Sequence, residues 1–193
     1  MANIGLRYAK YNKIDYTTKK YKALVNSTVP ILGKLIDGKF SKENNDARLD
    51  ADDMLAEYDS SFKSGTLNLT IADVEDDTYA DVKGCEVNSS EVTENVDDEV
   101  PEIGYGHIVT KMINGIKKYK VEFLPRIKIT NITQDHKTKG EGIEFGTTSI
   151  EAKVFALTEE INGLNIGDYR KIKTFDTLNE AVAYLDGLLT PVA

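Results

Sequence analysis

Asn114-Gly115 restricts the folds open to this chain more than any other pair of residues. A two-residue hairpin turn needs φ > 0 at both central positions, and Asn-Gly adopts that geometry at least cost. Strand-forming runs flank the pair at 105–113 and 116–124, so the sequence predicts an antiparallel hairpin here. A second stretch, 61–71, has the period of a half-buried strand: Thr66, Asn68 and Thr70 alternate with Leu67, Leu69 and Ile71. Both patterns need a sheet with one dry face, which points to a mainly β (α+β) fold.

Other segments fill in around these two. Tyr8, Tyr11, Tyr16 and Tyr21, set among lysines at 4–24, read as one or two strands with lysine guarding an edge. Residues 29–36 form an apolar patch broken by Pro30 and Gly33, and Asp37-Gly38 reads as a hairpin turn. Residues 41–50 read as a polar loop. Residues 73–82 read as a short helix, with acids in its first turns favoured by the helix dipole and Gly84 as its stop. The acidic stretch 86–102, ending at Pro101, reads as a mobile surface loop.

Pro125 punctuates the hairpin's return strand, 126–133 alternates again, and 135–142 is a polar loop. Residues 143–155 form one long strand or a strand pair, Asn162-Gly163 turns the chain, and 168–173 is a last short strand. Thr177 and Glu180 have the spacing of a capping box. Leu178, Ala181, Val182 and Leu185 continue at helical intervals to about Leu189, with Pro191 beyond. The expectation is seven to nine strands, one inner helix and one terminal helix.

A chain of 193 residues with 40% hydrophobic and 29% charged residues is that of a folded domain, not a disordered tail. No run approaches the roughly 20 apolar residues of a membrane span, and no apolar signal region is visible at the start. Cys85 is the one cysteine, so neither an intrachain disulfide nor a cysteine zinc cluster can form. The net charge of −8 is uneven: residues 1–42 carry +7, residues 43–102 carry −16 and the rest +1. An acidic surface repels nucleic acid, whereas the basic N-terminal stretch can meet an acidic neighbour, including a second copy.

No constellation for catalysis assembles from these residues. His107 and His136 read as structural, and no Gly-x-Ser-x-Gly elbow is present. Gly104-Tyr-Gly106 lacks the third glycine of a dinucleotide loop and precedes a strand, not a helix. The acid pairs Asp52-Asp53 and Asp76-Asp77 and the run Asp97-Asp98-Glu99 lack the glycine and distant glutamate of a calcium loop, so they read as solvated surface. Acids around Cys85 raise its thiol pKa and discourage thiolate chemistry. The expectation is a non-enzymatic protein with no catalytic residues, no metal and no cofactor.

Three stretches carry a resemblance to the major tail proteins of long-tailed bacteriophages, the subunits of the tail tube. The first joins Ala51, Asp52 and Asp53 to Phe62, Gly65 and the strand ending at Ile71. The second is the hairpin of Ile103-Gly-Tyr-Gly-His-Ile108 with Asn114 and Gly115. The third is the most specific: Thr138-Lys139-Gly140-Glu-Gly-Ile-Glu144-Phe145-Gly-Thr147-Thr-Ser-Ile150-Glu-Ala152 is similar to the family stretch TKGDSIEFQTPTIEG almost position for position. Gly146, Ser149, Ala152 and the acidic loop 86–102 depart from that pattern.

The resemblance implies a tail-tube β-sandwich or barrel over residues 1–159, with one flanking helix. Residues 160–193 would be a C-terminal extension with an amphipathic helix. It further implies a homo-oligomer: six copies form a ring, rings stack into a hollow virion tube, and DNA passes through the lumen without specific binding. Partner proteins would be the tail terminator, tape measure and tube initiator, with synthesis in the host bacterial cytoplasm and no membrane anchor. Loops 41–57, 86–102 and 135–142, the last with Lys137 and Lys139, are the candidate ring-to-ring contacts. Two other readings fit less of the sequence. One is a tube subunit of a phage-derived bacteriocin or contractile particle; the other is a monomeric β-sandwich that binds a surface or sugar, against which the lack of Trp argues.

Overall fold

The computed structural model describes residues 2–51, 54–89, 91–136 and 146–192, with the backbone alone given for the described part of 47–59. The chain is mostly β. It begins with β1 (Ala2–Asp15), β2 (Lys20–Tyr21), β3 (Ile31–Gly33) and β4 (Leu35–Asn44). A small hairpin follows, β5 (Ala47–Ala51) with β6 (Met54–Asp59), then β7 (Phe62–Ile71) and helix α1 (Asp76–Lys83). A second small hairpin, β8 (Glu86–Asn88) with β9 (Glu91–Thr93), leads into the long strands β10 (Glu102–Ile113) and β11 (Ile116–Gln134). The chain ends with β12 (Thr148–Val154), β13 (Lys171–Phe175) and helix α2 (Leu178–Leu189).

One antiparallel sheet runs β2-β1-β10-β11-β12-β7-β4, with β3 also on β1 and β13 also on β11. Strand β11 joins its two layers. Its first part pairs with β10 along one edge and, at Tyr119 to Phe123, with β13 along the other. From Ile127 to Gln134 it pairs with β12.

The dry faces follow from the side-chain alternation. Leu67, Leu69 and Ile71 of β7 point into one core with Ile150, Ala152 and Val154 of β12, Ile127 and Ile129 of β11, and Ile103 and Tyr105 of β10. On the other face of β10 and β11, Ile108, Val121 and Phe123 pack against Ala181, Leu185 and Leu189 of α2. Strand β10 is therefore covered on both sides, and its glycines make room for what covers it. A Cβ on Gly106 would lie 2.4 Å from Leu185 Cδ1, and one on Gly104 would lie 2.6 Å from the Tyr21 ring.

The local signals hold where they are strongest. Ile113 pairs with Ile116 across Asn114 (φ 51) and Gly115 (φ 78), the expected hairpin turn. Gly84 ends α1 at φ 79. At α2 the Thr177 hydroxyl accepts from Glu180 N and donates to the Glu180 carboxylate.

Four expectations fail. Asp37-Gly38 is not a turn: both residues lie inside β4, opposite Thr70 and Leu69, just past a bulge at Leu35. Residues 41–50 are not one polar loop: β4 runs on through Asn44, because an edge strand beside β7 needs no apolar outer face, and β5 starts at Ala47. Pro125 does not interrupt β11. It falls in a bulge where residues 125–126 oppose Gly104 alone, so its missing N–H removes no ladder bond. Its carbonyl accepts from the Tyr21 hydroxyl at 2.9 Å. Finally, 86–102 is not one loop: Val87 pairs with Val92 in the β8–β9 hairpin, and Glu102 opens β10 in an ion pair with Arg126. Such short pieces bring the strand count above the expected seven to nine.

Candidate assembly interface

Four strands form a layer of their own: residues 127–134 of β11, then β12, β7 and β4. Their outer face is built from the polar half of each alternation. Asp37, Lys39, Ser41 and Glu43 of β4 oppose Thr70, Asn68, Thr66 and Ser64 of β7, which in turn face Ser149, Glu151 and Lys153 of β12. Lys128, Asn131 and Thr133 complete the row on β11. The residues are short or flexible, and the charges balance, with Asp37, Glu43 and Glu151 against Lys39, Lys128 and Lys153.

Cross-strand bonds stiffen part of this face. Ser64 Oγ donates to Glu43 at 2.9 Å, Lys153 Nζ donates to Thr66 Oγ1 at 3.0 Å, and Lys153 lies 3.7 Å from Glu43. The Ser64 hydroxyl and then the Lys153 ammonium hold the Glu43 carboxyl below the usual carboxylate range.

Both edges of this layer lack an outer strand partner among the described residues, although residues 36–40 of β4 face Asn3, Gly5 and Leu6 of β1 across a cavity. Strand β4 pairs with β7 alone, and β10 ends at Lys128, so residues 129–134 of β11 have β12 as their one strand partner. Unpaired N–H and C=O groups along the two edges of one layer are templates for strand pairing. Since neighbouring strands are antiparallel throughout, β4 of one copy laid beside β11 of another continues the antiparallel order.

The motif residues are spread over the fold. Phe62, at the start of β7, stacks on Tyr169 with ring centroids 3.8 Å apart and planes 7° apart. Gly65 faces Phe40, whose ring would meet a Cβ at 2.6 Å. Asn114 and Gly115 form the exposed tip of the β10–β11 hairpin. The Thr147 carbonyl, just before β12, accepts from Asp135 N at 3.0 Å. Ala51 closes β5 opposite Met54. Asp52, Asp53, Lys137, Thr138, Lys139, Gly140, Glu144 and Phe145 lie outside the described residues.

Sequence reasoning missed a polar cluster beneath the layer. His107 on β10 sits directly opposite Glu122 on β11, and Arg170 bonds Glu122 at 2.5 Å while Lys120 also pairs with it. Burial works against the Glu122 charge, but Lys120 and Arg170 hold its pKa below the usual range, so it is a paired carboxylate and not a free base. Burial pushes the His107 imidazole down to about 4, and its Nδ1 has no hydrogen-bond partner. Burial, followed by Asp98, raises the Cys85 thiol. Among the described residues no three His, Cys, Asp or Glu side chains are grouped to hold a metal ion, and no helix is long and apolar enough to cross a membrane.

No protein-family model matches the chain, and a comparison with curated proteins finds no match. Solved structures similar to it are phage tail and related particle proteins. One is the SPP1 tail tube, at TM-score 0.44 and 12% identity, covering 91% of this chain and 83% of that chain. Another is the tube-terminating cap of the anti-feeding prophage, at TM-score 0.40 and 10% identity, covering 75% and 86%. A third is a chain of the native gene transfer agent virion, at TM-score 0.35 and 15% identity, covering 75% and 88%.

Proposed function

We propose that this protein is a structural subunit of a phage tail tube, in which six copies join edge to edge into a ring and rings stack into a hollow tube. The observation that carries the reading is the four-stranded layer with a polar outer face and two open edges. Pairing β4 of one copy with residues 129–134 of the next removes every exposed edge of the layer and makes its outer face the wall of a closed barrel. The similarity of residues 138–152 to the family stretch supports the same assignment.

A bore lined by Thr, Ser and Asn with balanced Lys and Glu offers DNA no run of cations to hold its phosphates, so a duplex slides. The role is passage and self-assembly without chemistry, with terminator, tape-measure and initiator proteins as the partners at the tube's ends and interior. Negative-stain electron microscopy of the concentrated protein, read with its size-exclusion profile, tests the reading. Hollow rings or tubes are expected. A protein that stays monomeric at high concentration and in the presence of its tail partners overturns it.

A further inference from the structure

The structure holds a second pair of complementary surfaces, away from the sheet edges. A groove of about 720 Å³ opens between residues 28–34 and the entry to α1, with Val29, Pro30, Ile31 and Leu32 as its apolar floor and Asp73 and Glu75 on its lip. Ile31 is 52% exposed there. Asp76 and Asp77 follow on α1, and Lys34 is the one cation lining the groove. The volume is that of a site for a compact apolar insert.

At the other end of β1 and β10, the β10–β11 hairpin presents the opposite character. Its tight turn at Asn114-Gly115 holds Met112, Ile113 and Ile116 at the tip, and Ile116 is 61% exposed. Lys111, Lys117 and Lys118 flank them. Lys118 pairs with Asp176, while Lys111 and Lys117 make no ion pair among the described residues. The tip is a stiff, apolar and basic knob, and the groove is an apolar and acidic hole.

We infer that the β10–β11 tip of one copy docks in the groove of a second copy. The tip cannot reach its own groove. The groove's β3 lies beside Lys10, which pairs with Gly106, and the seven residues from there to Ile113 span about 23 Å at about 3.3 Å each. Knob and hole are different patches, so the contact is heterologous and repeats head to tail, giving a ring where the rotation closes and a filament where it does not. It therefore rests on the reading of an assembling subunit and gives that assembly a contact distinct from the paired edges.

The test is a cysteine pair. In a Cys85→Ser background, Ile116→Cys with Ile31→Cys is oxidised under assembly conditions and run on a non-reducing gel, with Ile116→Cys and Ile166→Cys together as the control. A ladder of dimers, trimers and longer chains from the first pair alone is expected. A companion variant, Lys117→Glu, raises the concentration needed for assembly by roughly tenfold, and adding Glu75→Lys restores it. The thermal midpoint of unassembled Lys117→Glu stays at the wild-type value, since that side chain is exposed. Rings or tubes that form with no ladder and no response to either charge change overturn the knob and leave the tube reading standing. A wild-type protein that does not assemble, together with a cysteine-pair variant that does not cross-link, overturns both.

Discussion

Asn12 and Asn162 close the same turn of the protein from two distant segments. Asn12 Nδ2, on β1, donates to the Leu189 carbonyl at 2.9 Å, and Asn162 Nδ2 donates to the carbonyls of Leu188 at 3.2 Å and Thr190 at 2.9 Å. The last carbonyls of a helix have no partner within it, and here two buried amides supply one. Asn162 also accepts from Val192 N at 2.9 Å, so it fixes the chain beyond α2 as well.

Removing either amide should therefore loosen α2. Asn162 has φ 53, which glycine adopts freely, so Asn162→Gly keeps the turn and deletes the side-chain bonds. A loss of about 1–3 kcal/mol is expected, the cost of leaving buried carbonyls unpaired, or roughly 2–4 °C of thermal midpoint per kcal/mol at this size. Thermal denaturation of Asn162→Gly and Asn12→Ala measures it. Midpoints within half a degree of wild type would refute the clamp.

His107 makes stability depend on pH. The folded imidazole takes a proton near 4, the unfolded one near its ordinary 6.5, so between these values the unfolded state binds more protons. Stability is then lost as pH falls from 6.5 towards 4, by about 3 kcal/mol at full extent. Glu122 faces the ring from β11 and favours the charge, Lys120 and Arg170 oppose it, and Asp37 and Lys39 of β4 line the same cavity. Paired carboxylates such as Glu102 protonate lower, so the interval from pH 6.5 to 5 isolates the histidine. Wild type should weaken across that interval in urea melts, and His107→Leu should give a flat line there; equal slopes would remove His107 as the cause.

Features set by near neighbours in sequence were legible, and those set by distant partners were not. Asn114-Gly115, the alternation ending at Ile71 and the Thr177–Glu180 box each depend on a few adjacent residues, and each stands as read. Asp37-Gly38 has the same turn composition, yet β7 alongside pulls it into a strand, because ladder pairing outweighs a local turn preference. Pro125 is tolerated because Gly104 across the ladder leaves a bulge for it. Nothing in sequence joins His107, Glu122 and Arg170. The open edge at 129–134 exists because β10 begins at Glu102, a fact of register that composition does not record.

Gly106 tests how tightly α2 is seated. A Cβ there meets Leu185 Cδ1 at 2.4 Å and the Glu122 carbonyl at 3.1 Å, and Leu185 is fully buried. Gly106→Ala should destabilise by about 1–3 kcal/mol through overpacking. Leu185→Ala alone should cost about 2–5 kcal/mol for its cavity. Combined, the added methyl fills part of the vacated space, so the double variant should be more stable than the two losses added together predict. Strict additivity in denaturant melts would show that the methyl and Leu185 do not meet.

Amide hydrogen exchange discriminates the proposed ring contact from every other way of packing copies together. In the unassembled protein, outward amides of β4 and of residues 129–134 bond to water and should exchange like open loop amides. The central strands β7 and β12, paired on both sides, should be protected in either state. If β4 of one copy pairs with β11 of the next, assembly should slow exchange in those two edge segments together, by roughly a hundredfold or more, an opening cost of about 3 kcal/mol. Protection gained elsewhere, as on the β10–β11 tip, reports ring stacking and leaves this expectation unmet. Assembly that slows neither edge segment would mean that the open edges stay open, and the barrel would have to close by some other pair of strands.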